Sequence, residues 1–251
     1  NSHMFRFFSS HLMLANGGKW KFPDDIISSE FLTLEGRKIS TSQNWAIWVK
    51  DIMDRYHPDS IRYFMIARGP ETQDADFTWK EFVNHHNSEL FGKWGHFVGC
   101  TLDFITKHFN ATIPEGKLDR EIGARITTLY QSVGKMIEKG DLKEALGMVF
   151  EFVRFGNQYF DEKKPWETKN TDRKLCAQTI YNSVQMIANL SVLLEPFLPF
   201  SSSKIRGWLA IENNWSVKNI PAGFIISEPE ILFEALDNIV IEEEIKKLQQ
   251  Q

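Results

Sequence analysis

The sequence predicts a mainly α-helical protein in which a short αβ leader precedes an α-helical bundle. Three observations lead to this prediction. The clearest strand pattern, rich in β-branched residues, is confined to Ile26–Leu34. From Trp79 onward, apolar residues recur at spacings of three and four, which is typical of amphipathic helices. Glycine and proline separate these helical stretches, as expected for the turns of a bundle.

The leader, residues 1–82, contains the mixed part of the pattern. Glu35-Gly36 follows the predicted strand and includes a residue that tolerates positive φ, so we expect a tight hairpin turn there. The leader elements that we expect are a short helix end within Phe7–Ala15, the strand, the turn, a polar loop at Arg37–Ser42, helices from Trp45 to Met53 and from Pro58 onward, and a loop at Gly69–Asp76.

The bundle is expected to occupy residues 83–251. The glycines at 92, 95 and 99 lie in its first helix, and this spacing usually marks the close approach of another helix. Asp141 and Glu144 have the spacing of a capping box at the start of the third helix. The expected helices are Trp79–Phe109, a second around Ile122–Ile137 that ends at Gly140, a third that ends near Lys164-Pro165-Trp166, Arg173–Leu194, Ser203–Leu209 and a charged terminal helix around Glu242–Lys247.

Composition restricts the class of protein. The chain has 251 residues, of which 42% are apolar and 25% charged, and this is close to the globular norm. No apolar run approaches the roughly 20 residues of a membrane span, so we expect a soluble, cytoplasmic protein without a membrane partner. Cys100 and Cys176 lie far apart and form no CxxC pair, which excludes a disulfide framework and a thiolate zinc site. We therefore expect no bound metal.

The first candidate for chemistry is the polar loop that begins at Lys38. Lysine supplies a flexible positive charge, and the hydroxyls and backbone amides that follow can donate hydrogen bonds to phosphate oxygens. Most strings of this kind are solvated turns, so spacing alone leaves both interpretations open.

The second candidate is the segment from Asn157 to Trp166. A tryptophan directly after a proline at a helix end can present its ring face to a nucleic-acid base. Alternatively, Trp166 covers the end of the bundle. Residues 93–175 carry a slight excess of basic side chains within an acidic chain, which permits an RNA partner and shows no more.

Six strings stand in a particular order along the chain: Phe31–Ser42, Gly69–Thr72 with Asp76–Trp79, Asn87–Leu90, Pro165-Trp166, Leu194–Pro199 and Ile231–Phe233. In this order they resemble the C-terminal half of the methionyl-tRNA synthetases, a family of class I aminoacyl-tRNA ligases. The resemblance extends over nearly the whole chain from Phe5. It implies that the leader is the end of a class I catalytic domain with a KMSKS-type loop, and that the bundle is of the class I anticodon-binding type.

The resemblance also implies a function. The intact protein would activate methionine with ATP and Mg²⁺ and would charge tRNA(Met). Lys38 would be catalytic, since it would stabilise charge on the pyrophosphate when the loop closes on ATP. The bundle would bind the CAU anticodon, with one base stacked on Trp166. The residues implied are Lys38, Ile39, Ser40, Thr41 and Ser42 in the ATP loop, and Trp166, Asn157, His96 and Cys100 at the anticodon.

Three departures from the family pattern qualify these expectations. Thr41 stands where the loop usually has a second lysine. His96 and Cys100 stand where the pattern has Asn and Arg, and a thiol cannot replace the bidentate fork of arginine. No HIGH-like motif is present, so methionine and ATP would bind through the N-terminal half, and we expect this chain alone to be inactive with no cofactor bound. Two alternatives stay open: a paralogue that has lost anticodon recognition, and a stand-alone helical interaction module.

Overall fold

The computed structural model describes residue 17 and residues 27–250. The predicted helix end at Phe7–Ala15 and the first residue of the predicted strand, Ile26, lie outside these residues. The described part is mainly α-helical, with one small sheet near its start, so the predicted fold class is confirmed.

The sheet has three short strands, β1 (Leu32–Leu34), β2 (Arg37–Lys38) and β3 (Ala75–Phe77), in the order β2-β1-β3. β1 pairs antiparallel with β2 and parallel with β3. The predicted strand is therefore too long, because β1 has partners over three residues only. β3 lies partly in a segment that we predicted as a loop. Alternating polarity over only three residues is too short to give a strand signal in the sequence.

The predicted helix at Trp45 is also corrected. Trp45 forms a β-bridge with Ser40, and its indole Nε1 donates to the Leu34 carbonyl at 2.9 Å. Because its backbone and side chain are both engaged in this way, the helix begins only at Val49. The helices of the leader are α1 (Val49–Met53) and α2 (Pro58–Ala67).

The predicted long helix is continuous, but its middle is a π-helix. It consists of α3 (Trp79–His85), a π-helical segment (His86–Gly95) and α4 (His96–Phe109). A Cβ on Gly92 would lie 2.8 Å from the Asn87 carbonyl oxygen, five residues earlier. Glycine thus accommodates the wide π turn, whereas the space beside Gly99 is open. The expected helix contact at these glycines is wrong.

Six further helices form the rest of the described chain. The predicted end of the third bundle helix becomes a new short helix, because Lys164 adopts a left-handed conformation with φ 45° and the chain restarts at Pro165. The helix expected at Ser203–Leu209 begins earlier, at Pro199, because proline is favoured in the first turn of a helix. The helices are α5 (Arg120–Lys139), α6 (Leu142–Lys163), α7 (Pro165–Thr171), α8 (Arg173–Leu193), α9 (Pro199–Trp208) and α10 (Ile239–Gln250).

The predicted capping box at the start of α6 is wrong. The Asp141 side chain makes no capping hydrogen bond. Instead the carboxylate of Glu71, in the leader, accepts from the backbone N–H of Leu142 at 2.7 Å and of Lys143 at 3.2 Å. A carboxylate is a favourable partner for the free N–H groups of a helix start, wherever it lies in the sequence.

The described residues bury two hydrophobic clusters. The leader cluster surrounds Trp79 and Phe82 and also receives Leu248 from α10. The bundle cluster surrounds α8, in which every residue from Thr179 to Leu193 is buried. Buried polar side chains of α8 are satisfied by the chain around them, as when Gln185 bonds the backbone of Ile220 at 2.8 and 2.9 Å.

Candidate functional site

The polar loop at Lys38 is more ordered than the sequence predicts. Lys38 ends β2, Ser40 bridges Trp45, and residues Thr41–Gln43 form a 3-10 turn. The Ser40 and Ser42 hydroxyls lie 3.2 Å apart. The side chains of Lys38, Ile39, Thr41 and Ser42 are exposed and that of Ser40 is half-buried, so the charge and hydroxyls face solvent together.

The base of this loop is fixed by contacts that the sequence did not indicate. Glu35 and Gly36 have φ values of 48° and 71°, which confirms the tight turn. The Asp76 carboxylate accepts from the Gly36 N–H at 3.0 Å and from the Thr33 hydroxyl at 2.6 Å. On the other side of the turn, the Arg37 guanidinium lies 4.0 Å from the centre of the Trp45 ring.

In the bundle, the structure brings His96, Cys100 and Asn157 together. Asn157 Nδ2 donates to the carbonyls of Lys93 and Val153 at 3.1 and 3.0 Å, so its Oδ1 is the acceptor towards His96 Nδ1 at 3.2 Å. His96 Nδ1 therefore carries the proton. Its Nε2 is then the acceptor, 3.4 Å from Cys100 Sγ.

Close contact between α4 and α6 makes this group possible. A Cβ on Gly156 would lie 2.6 Å from the Phe97 ring, so only glycine fits there without displacement. Phe97 and Gly156 directly adjoin His96 and Asn157 in the sequence. Their contact places the imidazole and the amide within hydrogen-bonding distance.

Among the described residues, the charged groups that act on the Cys100 thiol are carboxylates. Burial raises the pKa of the Cys100 thiol, and the carboxylates of Asp103 and Asp161 raise it further. The side chain is half-buried. Position 100 therefore presents a neutral thiol beside two acidic residues.

Trp166 lies at the start of α7, just after the left-handed turn at Lys164. One part of its ring faces Phe160, with ring centres 6.1 Å apart. Phe160 in turn meets Phe104 of α4 edge-on at 6.5 Å. The side chain of Trp166 nevertheless stays 43% exposed, so much of the ring is open to a partner.

Cationic side chains surround this end of the bundle, and sequence reasoning did not single them out. Arg173 donates to the His108 carbonyl at 2.6 Å and lies 4.0 Å from the centre of the Phe109 ring. Lys169 Nζ lies 3.1 Å from His108 Nε2. These contacts orient two cations near α7, of which Arg173 is exposed and Lys169 is half-buried.

Membrane spans and clusters of metal-ligating side chains are both absent from residues 27–250. No described helix is long and apolar enough to cross a membrane. Within the same residues, no three or more histidine, cysteine, aspartate or glutamate side chains are grouped so that they could hold a metal ion.

Solved structures with a similar fold are methionyl-tRNA synthetases of Mycobacterium tuberculosis. The free form superposes with a TM-score of 0.78 at 18% identity, over 93% of this chain and 48% of that one. The form bound to methionyl-adenylate gives 0.78 at 19% identity, over 88% and 46%. At this identity the likeness shows the fold alone.

Sequence comparisons are more specific. Methionine–tRNA ligase 1 of Alkaliphilus oremlandii is 52% identical over 94% of this chain and 44% of its own length. Methionine–tRNA ligase of Bacillus mycoides is 49% identical over 92% and 42%. The chain thus spans less than half the length of these curated relatives.

Two family models cover most of the chain. The model of class I tRNA synthetases (M) matches residues 3–102, and the model described as the anticodon binding domain of methionyl tRNA ligase matches residues 111–251. The second match alone covers more than half of the 251 residues. The chain therefore belongs to the methionyl-tRNA ligase family.

Proposed function

We propose that this chain is part of a methionine–tRNA ligase and binds the anticodon of tRNA(Met) along α4, the last turns of α6 and the start of α7. The observation that carries the proposal is the half-exposed ring of Trp166, which contacts Phe160, three residues after Asn157 of the His96–Asn157 pair. A ring face accepts a stacked base, and an imidazole nitrogen that faces only the weak S–H donor of Cys100 can accept from a base edge in its place.

Each part of this surface has a separate role in the proposal. Lys169 and Arg173 meet backbone phosphates and orient the RNA. Trp166 stacks one unpaired base. His96 Nε2 accepts a hydrogen bond from an exocyclic amino group, such as that of cytosine, with Cys100 beside it.

We further propose that Lys38 and the hydroxyls of Ser40, Thr41 and Ser42 contact the triphosphate of ATP, with its Mg²⁺, in the full-length ligase. Lys38 would hold its ammonium group against the leaving pyrophosphate and stabilise the charge that develops there. This role also places the working enzyme in the cytoplasm, where tRNA is charged.

The division of the chain at residue 82 belongs to the same proposal. Support comes from the leader cluster, whose residues run from Leu34 to Val83. Leu248 of α10 belongs to this cluster as well, so the last helix returns to the leader although it follows the bundle in sequence.

The proposal is tested by filter binding of the chain to tRNA(Met) and to a tRNA(Met) transcript with a changed anticodon. We expect the CAU anticodon to bind more tightly by about tenfold, since a lost base contact costs about 1–3 kcal/mol. Affinity should fall with added salt, because lysine and arginine displace counterions from phosphates.

A second candidate function is favoured by one observation. Cys100, with Asp103 and Asp161 nearby, offers no cation to the RNA. A paralogue that keeps the scaffold and no longer distinguishes anticodons would have such a surface. Equal binding of the two transcripts would support the paralogue and contradict the first proposal.

A further inference from the structure

We propose that Glu71 is a positioning residue that connects the anticodon end of α6 to the loop at Lys38. The inference rests on the proposed function, since it concerns what RNA binding does to the loop. It depends on three sets of contacts: those of Glu71 with α6, those of the Glu71 segment with the loop, and those at the far end of α6.

The first set ties α6 to the leader. Glu71 Oε1 accepts from the N–H of Leu142 at 2.7 Å and of Lys143 at 3.2 Å. Beside this contact, the Ile27 side chain packs against Gly140, in the turn that precedes α6. Asp141 lies at the usual capping position and makes no capping bond, so the start of α6 depends on a residue of another segment.

The second set ties the Glu71 segment to the loop. The Pro70 carbonyl accepts from the Glu30 N–H at 2.8 Å, and Asp74 Oδ1 accepts from the Phe31 N–H at 3.0 Å. Further along, Asp76 holds the Gly36 N–H at 3.0 Å. A displacement of the Glu71 segment would therefore move the chain both before and after β1, the strand that leads to Lys38.

The third set lies at the other end of α6. Asn157 bonds His96 at 3.2 Å, and Arg154 pairs with Glu89 at 3.2 Å. At a rise of about 1.5 Å per residue, the 22 residues of α6 span about 33 Å. A packed helix moves as a unit, so RNA contacts at Asn157 and Trp166 can change the position of its first turn.

The test uses an RNA hairpin that carries only the CAU anticodon loop, because it is too short to touch the Lys38 loop itself. Amide hydrogen exchange is measured at Gly36, Ser40 and Trp45, whose N–H groups are bonded within or beside the loop. We expect the hairpin to slow their exchange by about tenfold, a usual size for coupling between sites.

The Glu71→Ala variant should bind the hairpin and lose this slowing. It should still fold, because Asp141 lies at the capping position and can accept from the N–H groups that Glu71 no longer bonds. Glu71→Gln keeps an oxygen acceptor and should restore most of the effect. Two controls should behave as wild type. Asp141→Ala removes a side chain that makes no capping bond. Glu144→Ala removes a carboxylate from the same turn, and this carboxylate has no ion pair or hydrogen bond within residues 27–250.

The outcomes separate the two proposals. Hairpin binding without slower exchange in the wild type, or slower exchange that persists in Glu71→Ala, would overturn the coupling and leave the proposed function standing. No hairpin binding at all would overturn both.

Discussion

Asn157 Oδ1 accepts a hydrogen bond from His96 Nδ1 at 3.2 Å, and this contact makes Nε2, which lies 3.4 Å from Cys100 Sγ, the acceptor nitrogen of the imidazole. The asparagine cannot be turned round, since its Nδ2 donates to two backbone carbonyls. The tautomer of His96 is thus set by the backbone geometry of α4 and α6. The proposed base contact depends on that tautomer.

The first prediction concerns the two departures from the family pattern. The double variant His96→Asn with Cys100→Arg should bind tRNA(Met) more tightly by about 1–3 kcal/mol, because arginine adds a charged, bidentate donor to the surface. Filter binding at one salt concentration measures the change. The neutral substitution Cys100→Ser is the control and should leave affinity unchanged; an equal gain from it would rule out the role assigned to charge.

The second prediction concerns the contact between α4 and α6. Gly156→Ala places a methyl group against the Phe97 ring, whereas Gly147→Ala, in the same helix, enters open space. Both gain the same helix propensity, so their difference isolates the clash. We expect urea unfolding to show Gly156→Ala about 1–3 kcal/mol less stable than Gly147→Ala. Equal stabilities would show that α4 and α6 are not in tight contact there.

The third prediction concerns acid. His86 is buried, its Nε2 donates to the Glu234 carbonyl at 2.8 Å, and burial lowers its pKa from the ordinary value of 6.5. The unfolded chain therefore binds more protons below pH 6.5 than the folded chain does. Stability should be complete above this pH and should fall as the pH falls below it. Burial lowers the pKa of His57 and His85 in the same direction.

Urea unfolding at several pH values between about 5 and 8 measures this effect. The variant His86→Gln removes one of these groups and should reduce the slope below pH 6.5. A free energy of unfolding that stays constant over this range would contradict the prediction.

Features set by local interactions could be predicted from the sequence, whereas those set by contacts between distant segments could not. Glu35-Gly36 and Gly140 were predicted correctly, because the need for positive φ is a local property of the chain. The residue that caps the start of α6 was predicted wrongly. Glu71 is 71 residues from Leu142, and no local pattern shows that Glu71 and not Asp141 bonds the first N–H groups of the helix. The bridge between Ser40 and Trp45 likewise overrode the helical spacing of the apolar residues.

In the candidate site, too, the residues could be predicted, but their contacts with distant segments could not. The resemblance pointed to His96, Cys100 and Asn157, and the structure brings these three together. Their hydrogen-bond directions required the backbone partners of Asn157, which lie on two different helices. The cations of Lys169 and Arg173 were missed. Their positions near α7 depend on contacts with His108 and the Phe109 ring, which only the fold brings close.

The central claim about the anticodon surface is that a base stacks on the ring of Trp166. The direct measurement is the Kd of tRNA(Met) for the chain with Trp166→Ala, beside Trp48→Ala, which removes a similarly exposed ring from the leader. We expect Trp166→Ala to weaken binding by about 1–3 kcal/mol and Trp48→Ala to have no effect. Equal affinity of the wild type and Trp166→Ala would contradict the account.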